Sequence, residues 1–77
     1  MILAVDIGNS NIVFGGVESN DIVFEARIRT DWTKTSDEYC VDLKIILDVY
    51  HVSPADIEGS IISSVVPQVL NSIKTAI

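Results

Sequence analysis

Basic side chains are scarce in this sequence. Five Lys and Arg stand against eleven Asp and Glu, a net charge of −6, and a nucleic acid or an anionic bilayer needs clustered cations to bind. Neither is expected as a partner. A small anion stays open, because a few backbone N–H groups and one metal ion can hold a phosphate locally. Cysteine is scarcer still: Cys40 stands alone, which excludes an internal disulfide and a multi-cysteine zinc site and fits a reducing compartment. Proline and glycine are few, at two and four residues, while 48% of the chain is apolar; linker, collagen-like and disordered classes are set aside. Long apolar runs are missing too, so no membrane span is read. Residues 1–5 are apolar, but they lack a basic lead-in, meet Asp6 at once and precede no small-residue cleavage pattern, unlike a signal peptide. A soluble, cytoplasmic chain is expected, and 77 residues allow one small domain with a modest core.

What is present is a series of short, distinct patterns. Ile2 to Val5 are apolar without alternation, the pattern of a central strand covered on both faces. After a polar corner, Ile12, Val13, Phe14 and Val17 form a second β-rich run, in which Gly15-Gly16 suggests a bulge or a close backbone approach. Glu18 to Asp21 reads as a turn. From Ile22 the chain alternates, with Ile22, Phe24, Ala26 and Ile28 on one face and Val23, Glu25, Arg27 and Arg29 on the other, predicting a third strand near an edge.

Beyond a polar loop holding Trp32 the period changes. Thr35 and Glu38 have capping-box spacing, and Tyr39, Leu43, Ile46, Leu47 and Tyr50 follow on one helical face, opposite Asp42, Lys44 and Asp48. Ser53-Pro54 predicts a stop near His51. Gly59 to Val65 reads as a short buried strand centred on Ile61 and Ile62. Pro67 fits the first turn of a second helix, whose stripe is Val66, Val69, Leu70, Ile73 and Ile77. Strand, strand, strand, helix, strand, helix is the order of an α/β mixed sheet. In the commonest arrangement the fourth strand lies parallel beside the first, with a bare outer edge unless a fifth strand follows. The chain therefore reads as the amino-terminal part of a longer protein, truncated before the fifth strand.

One corner of this layout invites chemistry. The first strand ends in "DIGNSN", so a rigid element places the Asp6 carboxylate beside a tight turn of small polar residues. Phosphoryl-transfer sites use that combination: turn N–H groups approach the polyphosphate while an Asp holds a magnesium ion or its water. Gly8 allows close approach, and Ser10 and Asn11 add donors. The same residue types also populate any hairpin turn, and neither G-x-G-x-x-G nor G-x-x-x-x-G-K-[ST] occurs. Spacing alone leaves both readings open.

Four segments in register speak to the choice. "DIGNSNIVFGG" resembles the first phosphate motif of type III pantothenate kinases, members of the sugar kinase, chaperone ATPase and actin superfamily. "RIRTD" at the end of the third strand, "TSDEY" opening the first helix and "IISSVVPQV" at the fourth strand follow in that family's order. The chain departs from the pattern at Gly16, where a bulkier apolar residue is usual, and in the "RTDWTKT" loop. The resemblance implies a ribonuclease H-like (actin-like ATPase) half-domain, with residues 1–77 as the amino-terminal part of the first lobe. It implies transfer of the γ-phosphoryl of ATP to pantothenate, the first step of coenzyme A synthesis, with Mg²⁺, a monovalent cation (K⁺ or NH₄⁺) and a homodimeric full-length enzyme. Carried over by position, Asp6, Ile7, Gly8, Asn9, Ser10, Asn11, Ile12 and Val13 are the ATP-phosphate segment, and Asp6 organises the metal. No catalytic residue falls within these 77. The family's catalytic Asp, its pantothenate motif and its adenosine and potassium sites are expected beyond Ile77.

The other conspicuous residues have plainer readings. His51 is expected to cap the first helix, Cys40 to be a buried structural thiol, and the Tyr39, Leu43, Leu47 and Tyr50 stripe to be core. Trp32 anchors either a loop or a subunit contact. Arg27 and Arg29 read as a solvated face. Ser63 and Ser64 end the fourth strand on the side where α/β sheets bind ligands. Two other functions remain beside the kinase: another actin-like ATPase or sugar kinase lobe, and a non-catalytic module that self-associates through its bare sheet edge.

Overall fold

Alternating side chains and two tight corners build the sheet first. The computed structural model describes residues 1–64 and 73–75. Strands β1 (Ile2–Ile7), β2 (Asn11–Glu18) and β3 (Asp21–Arg29) form an antiparallel meander, helix α1 (Ser36–Val49) crosses over, and β4 (Gly59–Ser64) returns parallel to β1. The order is β3-β2-β1-β4, a mixed α/β sheet with β1 in the interior, as the sequence pattern predicts. The expected second helix, with Val66, Pro67, Val69, Leu70 and Ile77, lies outside the described residues except for Ile73 to Thr75. Those three are helical, and Ile73 is buried.

The core lies on one face of the sheet. Leu3, Val5 and Ile7 of β1, Ile12 and Phe14 of β2 and Phe24 of β3 meet Tyr39, Ile46 and Leu47 of α1, with Ile73 among them. The opposite face is only half-covered: along β1 the buried residues alternate with Ile2, Ala4 and the exposed Asp6. β1 is therefore covered on one face, not two, among the described residues. The expectation of a buried β4 is corrected likewise, since Ile61 is 68% exposed. The edge position of β4 and that half-covered face account for it.

A bulge displaces part of β3. Gly16 pairs with Phe24 but Val17 pairs with Ile22, so the register shifts by one residue and Val23 is left over. Side chains past a bulge change face. Ile22, expected beside Phe24 in the core, is 65% exposed on the other side. Gly16 makes the bulge workable: a Cβ there would lie 2.3 Å from the Phe24 ring. A bulkier residue and this ring position exclude each other.

Helix α1 starts and stops as its sequence dictates. The Thr35 hydroxyl accepts from the Glu38 amide, and the Glu38 carboxylate accepts from the Thr35 amide, completing the capping box. At the other end the amides of His51 and Val52 donate to the carbonyls of Asp48 and Leu47 at 3.1 and 2.8 Å. This is the Schellman pattern, with His51 at φ 59° in the left-handed position that usually takes glycine. Tyr50 stacks on Phe24 with centroids 5.2 Å apart and donates its hydroxyl to the Glu25 carbonyl. Cys40 corrects an expectation: it is exposed, because it lies one residue beyond Tyr39 and so beside the buried stripe. A short 3₁₀ turn, Pro54–Asp56, begun by a Ser53–Asp56 capping box, then leads into β4.

Candidate functional site

Because β1 is an interior strand, its end is held on both sides. Asp6 pairs with Val13 of β2 and with Ser63 of β4, and the three side chains line a recess of about 290 Å³ on the half-covered face. Asp6 is exposed, and among the described residues its carboxylate has no hydrogen-bond or ion-pair partner. A rigid strand thus presents an uncommitted carboxylate, with the Ser63 position beside it. Arg27 and Arg29 are exposed, as expected.

The remaining corner residues divide by chemistry. Ile7 and Ile12 are fully buried core side chains, so only their main chain is available to a ligand. Asn9, Ser10 and Asn11 are exposed. They adjoin the recess without lining it. The Gly8 amide donates to the Asn11 carbonyl at 2.9 Å, and a Cβ on Gly8 would come within 3.2 Å of that oxygen. That close approach is what glycine serves here, since no residue in the corner has positive φ.

Sequence reasoning did not single out the residue that holds the corner. Thr30, just after β3, donates its hydroxyl to the Gly8 carbonyl at 2.8 Å and its amide to the Ser10 carbonyl at 3.0 Å. The peptide bonds are trans, and in a planar trans peptide the C=O and the following N–H point in opposite directions. With the Gly8 carbonyl turned to Thr30, the Asn9 amide points away from it, while the Asn11 amide faces β1, on the edge where its own carbonyl accepts from Gly8. The loop beyond is tied to the core: the buried Tyr39 hydroxyl accepts from the Asp31 amide at 3.2 Å and donates to the Asp31 carbonyl at 2.6 Å. Trp32 is 59% exposed and does not anchor this loop; Tyr39 does.

Two charged groups in the loop are perturbed. The Asp31 carboxylate accepts from the Thr33 hydroxyl and amide at 2.6 and 2.9 Å, and these bonds hold its pKa below the usual carboxylate value. The hydrogen bond from Lys34 to Asp42 raises the lysine above its ordinary value. Neither group lines the Asp6 recess.

Elsewhere a larger groove of about 380 Å³ runs between α1 and the start of β4, lined chiefly by Leu3, Leu43, Leu47 and Ile57. Its apolar walls suit packing, and the polar corner suits an anion. Among the described residues there is no cluster of three or more His, Cys, Asp or Glu placed to cage a metal, and the recess carries two carboxylates, Asp6 on β1 and Glu25 two strands away on β3. That is enough for magnesium, which keeps several waters and takes one or two carboxylates along with substrate phosphates. No helix among the described residues is long and apolar enough to cross a membrane.

An interior β-strand that ends in an exposed Asp beside a tight polar turn is the frame of a small mixed α/β sheet. Comparison with known proteins gives the family. The type III pantothenate kinase family model matches residues 2–77, and the chain belongs to that family. It is similar to the type III pantothenate kinase of Finegoldia magna, at 43% identity over all 77 residues and 29% of the relative's length. Those of an Exiguobacterium species and of Bifidobacterium animalis subsp. lactis are 49% and 50% identical, over 91% and 94% of this chain and 28% and 29% of theirs. The chain thus spans somewhat under a third of the length of the curated relatives it matches.

Proposed function

We propose that this chain supplies the ATP-phosphate corner of a type III pantothenate kinase, in the amino-terminal part of a ribonuclease H-like, actin-like first lobe. The reaction is transfer of the γ-phosphoryl of ATP to pantothenate, giving 4′-phosphopantothenate and ADP, the first step of coenzyme A synthesis. The bond from the terminal phosphorus to the β,γ-bridging oxygen breaks, and a new one forms to the primary hydroxyl of pantothenate. The hydroxyl proton goes to a base that we do not assign to any of these residues.

The observation that carries this reading is the uncommitted Asp6 carboxylate at the end of interior strand β1, beside a corner whose Asn9 amide is turned away from Thr30. Mg²⁺, when bound, neutralises charge on the phosphoryl oxygens, and Asp6 is the residue of this chain that would hold it or its water. Asn9, Ser10 and Asn11 offer donors to phosphate oxygens, while Ile7, Gly8, Ile12 and Val13 give the corner its course. Family resemblance further supports a homodimer, a monovalent cation (K⁺ or NH₄⁺) held by other parts of the enzyme, and a cytoplasmic location.

The test is Asp6→Asn in the intact enzyme carrying this segment. The side chain keeps its size and loses its charge. ATP- and pantothenate-dependent phosphorylation should fall by roughly a hundredfold or more, the scale on which one electrostatic contact matters in a preorganised site, while the melting temperature holds. Unchanged turnover would remove Asp6 from the mechanism.

A further inference from the structure

The corner does not hold its own shape. Tight hairpin corners are ordinarily fixed by residues with φ > 0, and Gly8 to Asn11 contain none. Its one internal backbone bond, from the Gly8 amide to the Asn11 carbonyl, leaves the carbonyls of Gly8 and Ser10 to be held from outside. Both are held by one residue, Thr30, through its hydroxyl at 2.8 Å and its amide at 3.0 Å.

We propose that Thr30 is a positioning residue for nucleotide binding: it fixes the Gly8 and Ser10 carbonyls on its own side of the corner so that the Asn9 amide is presented to the phosphates. This rests on the kinase reading above. Without the hydroxyl bond the Gly8–Asn9 peptide is free to rotate, and a carbonyl oxygen can then face the ligand where an N–H should. A phosphate meets repulsion in place of a donor. Behind Thr30, the two hydrogen bonds between Tyr39 and the Asp31 main chain fix the end of β3 to the buried side of α1. Corner geometry is thereby coupled to the core of the domain, as preorganised sites require.

The position of Thr30 has a cause further back in the chain. An unbulged β2–β3 hairpin would set Arg29 opposite Ser10. The one-residue shift between Gly16 and Val17 sets Thr30 there instead. A glycine that makes room for the Phe24 ring thus decides which side chain meets the phosphate corner.

Thr30→Val and Thr30→Ser in the intact enzyme provide the test, with ATP and pantothenate varied separately. Valine matches threonine in shape and removes only the hydroxyl. One lost positioning bond should raise the KM for ATP roughly three- to tenfold and leave the KM for pantothenate unchanged; serine should restore the wild-type value. Equal changes in both KM values, an unchanged KM for ATP, or a serine variant as poor as valine would each overturn the proposal. A second measurement separates this from the kinase reading. Amide shifts of the corner, that of Asn9 above all, are followed while ATP is added without pantothenate. Shifts in the wild type that weaken in Thr30→Val support the positioning role, and their absence in the wild type overturns it. The kinase reading itself stands or falls on wild-type turnover and Asp6→Asn.

Discussion

Two corners join the first three strands, and they are built on opposite principles. At Ser19-Asn20 both central residues are left-handed, with φ of 52° and 67°, the requirement of a type I′ turn whose twist matches that of the flanking strands. At Asn9-Ser10 neither is, and Thr30 supplies the constraint. The second corner is self-sufficient and serves the hairpin. The first gives up local turn chemistry and is held from the end of β3 instead, with the Asn9 amide turned away from Thr30. A site that must receive an anion needs donors without partners, and an ideal hairpin turn leaves too few.

The sharpest way to break this comparison is to make the first corner resemble the second. Ser10→Gly creates Asn-Gly, the strongest type I′ sequence, and should let the corner close on itself. We expect roughly a tenfold or greater rise in the KM for ATP, about 1.4 kcal/mol of lost binding, with the melting temperature unchanged or higher. Ser10→Ala reports the loss of the hydroxyl alone and should have the smaller effect. If glycine and alanine behave alike in kinetic assays, turn type is irrelevant to the site.

Next in size is the bulge that connects the two corners. Gly16→Val forces a side chain into the space of the Phe24 ring, where even a Cβ would sit at 2.3 Å. Overpacking of this kind costs about 1–3 kcal/mol, readable as a lower urea midpoint. Gly16→Val combined with Phe24→Leu should recover part of that loss. A combined variant no more stable than Gly16→Val would show that the ring is not what excludes a side chain.

Sequence patterns made much of this legible. The capping box at Thr35 and the stop near His51 follow from local signals whose physical causes lie within a few residues, while the parallel return of β4 beside β1 follows from the general rule for helical crossovers. The misreadings are of another kind. Ile61 and Cys40 are exposed because of what does or does not cover them, which no window of sequence reports. Ile22 lies on the other face because the bulge suggested by Gly15-Gly16 shifts the β2–β3 register by one residue. The same shift sets Thr30 opposite Ser10, where plain alternation sets Arg29. At the site, the exposed Asp6 was readable from its place at a strand end, while the orientation of the corner amides depends on a contact twenty-two residues away.

The second corner can be improved without touching the first. Asn20→Gly keeps the left-handed turn and removes its residual steric cost, which should raise stability by about 0.5–1 kcal/mol and leave the KM for ATP unchanged. His51→Gly, at the left-handed end of α1, should give a gain of similar size by the same physics. The two gains should add, since these sites share no partner. A change in nucleotide affinity in Asn20→Gly would mean that the two corners are not independent.

The smallest effect expected is a dependence on pH in the loop behind Thr30. Thr33 holds the Asp31 carboxylate below its ordinary value, so the folded loop binds that proton more weakly than the unfolded chain does. A depressed carboxylate contributes stability above its unfolded pKa, here the ordinary aspartate value of 3.8, and loses it as pH falls through the lower folded value. Between neutral pH and that region the KM for ATP should therefore show no contribution from Asp31. Below it, the turn at Asp31 to Thr33 should loosen, with faster exchange of the Thr33 amide. Thr33→Val removes the hydroxyl bond and should move the onset of that exchange to higher pH, toward the unfolded value. An onset that does not move would show that the Thr33 hydroxyl leaves Asp31 unperturbed, and that the loop owes its order to Tyr39 alone.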